Sequence, residues 1–280
     1  RDQLKVTNWP LPLTAFQRSK AFSTQGFSFF TMSLIGASFL PAGVAADLSR
    51  ELASGAVRQQ LVAGMPLRAF VLSSFVADVA LVLPPLLSQL GFIAKFELAV
   101  FVDCLPVVAL LLVAFAFASV AQVYALLPDY KTPAADQTSI LALNIVTGFI
   151  LAVITWVLCI PFLGSTANAV ARAISLIGRA SPAYNLANAV LTIPNIALPG
   201  FGTVHGLPPL HPRVAGEPLA ALVLNVLVYL AVAIRRGLGP EAKVDAYGVP
   251  GQRPAGGSAR GGVRPDLGAS AAAEVEAERA

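Results

Sequence analysis

Charge is missing from this chain in long blocks, and that pattern constrains the fold more than any other feature. No Asp, Glu, Lys or Arg occurs between Lys20 and Asp47, between Asp103 and Asp129, or between Asp136 and Arg172. Between Arg68 and Lys95 the single exception is Asp78, and the apolar run Pro218–Ile234 closes on Arg235-Arg236. At about 1.5 Å of rise per residue such runs can cross an apolar layer of about 30 Å, the last only marginally. Backbone groups in lipid must be satisfied within the segment, so the runs are expected as helices and not strands. Composition agrees: 12% of the 280 residues are charged and 56% are hydrophobic, whereas a soluble domain carries about 25% charge. An ordinary soluble globule, a disordered chain and a fibre are excluded. The expectation is an all-α polytopic membrane protein with about five transmembrane helices, at 27–46, 70–92, 104–127, 139–160 and 218–234.

The remaining segments read differently. Residues 161–217 are broken by Pro182, Pro194, Pro199, Pro208, Pro209 and Pro212. They are expected as a helical exoplasmic insertion before the last span, with short re-entrant or interfacial helices possible over Ala167–Leu191. After Arg236 the composition turns to Gly, Pro, Ala and Arg, too apolar-poor to offset chain entropy, so 237–280 is expected as a disordered linker. The loop 47–68 (Arg50, Arg58, Arg68), Lys131 and the Arg235-Arg236 end carry slightly more near-membrane positive charge than the opposite side. This favours them as cytosolic. The basic residues sit in these short loops without interleaved aromatics, which argues against nucleic acid. Cys104 and Cys159 lie in apolar runs and imply no disulfide framework. The chain opens on Arg1 without a signal peptide and is expected to be a piece of a longer protein.

A few residues carry chemistry. Asp78, some ten residues beyond Arg68, is a carboxylate deep in a span, costly there and often functional. Its pattern leaves open a helix–helix tie or a direct part in transport. Gln122 and Asn144 are expected to form interhelical hydrogen bonds, and Trp156 to anchor at an interface. In the loop 47–68, Leu48 and Leu52, then Val57 and Leu61, repeat at i,i+4. Arg50, Glu51, Arg58, Gln59 and Gln60 present the polar face. Pattern alone leaves this loop as a docking element for a protein partner or an interfacial helix resting on headgroups. No G-x-x-x-x-G-K-[ST] phosphate loop occurs, so this chain has no cradle for a triphosphate. His205 and His211 lack a Cys or carboxylate at metal spacing, and no metal site is expected. No catalytic set of Ser/His/Asp or Cys/His type can be assembled.

Several short stretches, in order, resemble one known family. Asn8-Trp9-Pro10-Leu11-Pro12-Leu13-Thr14 is similar to an N-x-P-L-x-x-T stretch, and Ser38-Phe39-Leu40-Pro41-Ala42 to S-F-x-P-A. Glu51 follows ten residues after Pro41, where the pattern has the Glu of an E-R pair. Gln60-Leu61-Val62-Ala63-Gly64 resembles L-Q-x-x-x-G at its glycine, Asp78 and Pro85 follow at the matching distances, and Asn144 and Gly148 fit N-x-x-x-G. Ser181-Pro182-Ala183-Tyr184 and the tail Glu274–Arg279 extend the likeness more faintly. The chain thus resembles the second transmembrane domain of an ABC transporter of the A subfamily, an ABC-2 type membrane domain. Leu52 stands where the family has Arg, and the loop lacks most of the usual lysines.

The resemblance implies a division into 1–26 as the end of an exoplasmic domain, 27–236 as the transmembrane domain and 237–280 as linker. It implies the membrane part of an ATP-driven exporter of lipids. ATP and magnesium would be held by a nucleotide-binding domain in cis or in trans, a second transmembrane half would be a partner, and Arg50, Glu51, Arg58, Gln60 and Gly64 would form the coupling loop. A sixth helix and the exoplasmic domain would precede Arg1. Other readings are a truncated, non-transporting membrane scaffold and, with less support, an ion channel or secondary carrier built round Asp78; the latter lacks an inverted repeat and enough charge to line a path.

Overall fold

The computed structural model describes residues 15–126, 132–159, 164–197, 204 and 206–236. The stretch Asn8–Thr14, Lys131, Gly202, Thr203, His205, the expected linker 237–280 and its tail motif lie outside these residues, as does the side chain of Arg58. All regular structure among the described residues is helical. Helix α1 (Ala15–Ser54) turns at Gly55 into the short α2 (Ala56–Val62), and α3 (Leu67–Lys95) returns. The one-turn α4 (Ala99–Val102) leads into α5 (Leu105–Leu126). The next span is continuous but changes pitch: α6 (Pro133–Asn144), a π-helical stretch Ile145–Leu151, then α7 (Ala152–Leu158). After α8 (Gly164–Gly178) and α9 (Pro182–Thr192), α10 (Glu217–Arg236) closes the bundle.

Five stretches are long and apolar enough to cross a membrane: Gly26–Ser54, Arg68–Lys95, Leu105–Leu126, Pro133–Leu158 and Pro212–Arg236. They fall on the five charge-poor runs, and the protein is an integral, multi-pass, all-α membrane protein. The helices overrun the expected windows. The first begins well before residue 27 and continues to Ser54, because Asp47, Arg50 and Glu51 are tolerated at an exposed helix end. Prolines stand at helix starts: Pro66 precedes α3 and Pro133 opens α6, where the first N–H groups need no helical partner. The Thr132 hydroxyl accepts from the Ala135 N–H at 3.2 Å and caps α6. Pro41, Pro84 and Pro85 lie inside helices.

The core is built round α5, the most buried span. It packs against α3, α9 and α10, and α1 packs along α6. The segment expected as an outer insertion, with room for short re-entrant helices over Ala167–Leu191, delivers α9 into the centre of the bundle. Pro182 to Ala187, Ala189, Val190 and Leu191 are all buried, against α1, α5, α10 and the π-helical stretch. At eleven residues α9 is about half the length of a span, so a search for membrane-length windows passes over it.

Two of the faint motifs meet here. A Cβ on Gly148 would lie 2.7 Å from the Ala183 Cβ and 3.2 Å from the Ala183 backbone C and O, so only glycine lets the π-helical stretch approach α9. Thr147 and Ser181 share a hydroxyl hydrogen bond of 2.7 Å beside it. Gly148→Ala is expected to cost about 1–3 kcal/mol by overpacking against fixed backbone. Gly43→Ala, where an added Cβ meets nothing within 4 Å, is expected to be neutral. Thermal retention of the folded peak on size exclusion in detergent checks both, and equal melting of the two variants would contradict the packing account.

Candidate functional site: a helical elbow and an intramembrane carboxylate

The chain between α1 and α3 is a helical elbow. Leu48, Leu52 and Val57 turn inward and are buried, while Arg50, Glu51, Gln59 and Gln60 are exposed. Arg50 pairs with Asp47 at 2.9 Å one turn earlier. Both are well exposed, so the pair orients the side chains more than it stabilises the helix. Gly55 has φ +77° and Gly64 φ +97°, backbone that residues with a Cβ rarely adopt. Gly64 ends α2: the Met65 N–H donates to the Gln60 carbonyl at 3.1 Å across it, the wrap that closes a helix on a left-handed residue. Pro66 then starts the next element. The elbow is thus a fixed shape with a polar outer face.

Asp78 lies in α3 and has a partner. The Tyr124 hydroxyl, from α5, donates to Asp78 Oδ2 at 2.6 Å. Tyr124 is fully buried, its ring meets Phe75 edge-on with centroids 6.1 Å apart, and Ser74 also faces its hydroxyl. A carboxylate in a span is costly unless a donor compensates it, and a charge-assisted bond of this length is among the stronger ones. The carboxylates of Glu51 and Asp47 act electrostatically on the same Asp78. The structure therefore brings together two features that are far apart in sequence, the end of α1 at the elbow and the acid of α3.

Gln122 and Asn144 are buried, but the interhelical bond expected of Asn144 is not formed. Neither amide atom of Asn144, nor Gln122 Oε1, has a hydrogen-bond partner among the described residues. Asn144 is the last residue of α6 before the helix changes to π pitch, and it is buried there without a polar neighbour in bonding position among the described residues. Trp156 packs on Phe27, ring centroids 6.5 Å apart. The His211 Nδ1 accepts from the Arg213 N–H at 3.2 Å and caps the turn before α10. Among the described residues no group of three or more His, Cys, Asp or Glu is placed to hold a metal ion.

Sequence reasoning missed a second polar cluster. The turn after α8 offers its carbonyls to three side chains: Asn185 Nδ2 and Asn225 Nδ2 donate to Arg179 O at 2.8 and 3.1 Å, and the Tyr229 hydroxyl to Ala180 O at 2.6 Å. The Arg179 guanidinium pairs with Glu217. These bonds join the α8–α9 corner to α10. The chain matches the ABC-2 family transporter proteins over residues 1–235. It belongs to that family. No individual curated protein matches it. An ABC-2 membrane domain is a transport component, not itself catalytic, and usually partners with an ATP-binding domain.

Tyr124→Phe removes the donor from the half-buried Asp78 carboxyl, at a cost of about 1 kcal/mol. Asp78→Asn keeps an acceptor and is expected to cost less than Asp78→Leu. Melting of the purified variants in detergent checks the order; a reversed order would rule out the bond as the main role of Asp78.

Proposed function

We propose that this ABC-2 domain is the membrane-spanning part of an ATP-driven exporter that resembles the A subfamily and moves lipid across or out of the bilayer. In this reading the elbow 47–68 docks on a nucleotide-binding domain, which supplies ATP hydrolysis with magnesium, and a second transmembrane half completes the transporter. This chain has no phosphate loop, so its own part is mechanical. The supporting observation is the elbow's shape. Leu48, Leu52 and Val57 are in contact with the bundle, so Glu51, Gln59 and Gln60, with Met65 exposed further on, project a mainly polar surface from a backbone held by two left-handed glycines. A helix resting on headgroups would turn its apolar face outward to the lipid instead. The ordered motifs of the A subfamily support the finer assignment, and the apolar faces of the bundle suit a lipid better than a polar solute.

The test joins structure to coupling. Gln60→Cys is expected to crosslink to the nucleotide-binding domain in membranes, and phospholipid in nanodiscs to stimulate ATP hydrolysis by the assembled transporter. Val57→Asp disturbs the buried side of the elbow and is expected to leave basal hydrolysis while abolishing the stimulation. Crosslinks that never reach an ATPase domain would refute the docking, and a stimulation indifferent to lipid would refute the substrate class. Asp78→Asn, if the acid is a tie, leaves transport per folded molecule unchanged.

A further inference from the structure

At the end of α3 away from the elbow, α1 and α3 leave an open groove of about 610 Å³. That lies within the ~300–1,000 Å³ of ordinary small-molecule sites. Phe29, Met32, Gly36, Phe92, Phe96 and Leu98 line it. Phe92 and Phe96 stack in parallel, centroids 6.3 Å apart and planes 2° from each other, as one flat wall. Of the three polar side chains in the lining, Ser28, Ser33 and Gln89, the last two bond each other at 2.5 Å, which leaves the lining mainly apolar towards an occupant. An added Cβ on Gly36 would meet nothing within 4 Å: the slot is open where a side chain would close it. Lys95 and Glu97 flank Phe96 and are both exposed, which puts one cation and one anion at the level where α3 leaves the membrane. Glu97 takes φ +47° there.

We infer that this groove seats an acyl chain of a zwitterionic phospholipid in the leaflet at the C-terminal end of α3. The Lys95 ammonium faces the phosphate, and the Glu97 carboxylate faces the headgroup amine. A methylene chain matches the lining, and a headgroup bearing both signs matches the pair at its mouth. A protein helix seated in the groove would bring its own backbone into the slot and strip water from both charges, at a cost. The site goes beyond the export reading and stands whether the lipid is cargo or a resident of the fold, since its test reads binding and not transport.

The test uses the full chain in nanodiscs containing a phosphatidylcholine with a photoactivatable acyl chain, followed by peptide mapping. Labelling is expected to concentrate on residues 28–36 and 89–98. Gly36→Leu fills the slot and is expected to lower that labelling by about tenfold, as an overfilled site does. Gly43→Leu, about two turns further along the same helix and outside the groove lining, is expected to leave it unchanged. Glu97→Lys is expected to shift preference from phosphatidylcholine towards a matching photoactivatable phosphatidylglycerol. Labelling spread evenly over the exposed faces of α1, α3 and α10, or unmoved by Gly36→Leu, would overturn the site. So would protection of 28–36 and 89–98 from the probe by a neighbouring protein helix.

Discussion

The close approach of Gly148 to Ala183 is the contact on which the rest of the bundle is arranged. It admits a short helix, α9, to a place where a membrane protein would otherwise need a full span. The turn that carries the chain from α8 into α9 leaves carbonyls outside the helical ladder, and an unpaired carbonyl costs free energy wherever water is excluded. The sequence meets that demand with side chains: Asn185 from α9 itself, and Asn225 and Tyr229 from α10, all aimed at the carbonyls of Arg179 and Ala180. Glu217 adds an ion pair to the same corner. The position of the last span therefore follows from the burial of α9, and the packing of α10 on α5 follows from both.

Polar side chains in this bundle are few, and where they meet they act as ties between particular helices. Apolar faces in lipid gain little from one another, since lipid tails are as apolar as leucine, so directed bonds and close packing decide which helices stay together. Asp78–Tyr124 ties α3 to α5, and the Arg179 corner ties α8 and α9 to α10. Asn144 and Gln122 are buried without completing such a bond. Asn144 stands at the start of a π-helical stretch, and π turns often mark functional positions in helices.

The spans were legible because the rule behind them is simple: lipid excludes charge, so uncharged runs of sufficient length report themselves. Asp78 was legible for the same reason, as the exception within a run. Tyr124 was not, because a tyrosine near a span end is common at membrane interfaces and its partner lies forty-six residues away. Gly64 carried a local signal, a glycine two residues before Pro66 at the end of an amphipathic turn, which is a helix-stop pattern. The burial of α9 was only partly legible: the uncharged segment allowed a short re-entrant helix, but only the glycine on another segment shows what it packs against. The π pitch after Asn144 has no composition of its own.

What the elbow can transmit follows from where α1 ends. The helix runs without interruption from the groove at Ser28–Gly36 to Ser54, so a push on the elbow is carried along a single rod. Near its end, Asp47 and Glu51 place negative charge within electrostatic reach of Asp78, whose bond to Tyr124 holds α3 on α5. That bond is a polar link between α3 and the buried α5. Because α1 itself packs on α5, α6 and α9, a displacement of α2 reaches the centre of the bundle as directly as it reaches α3.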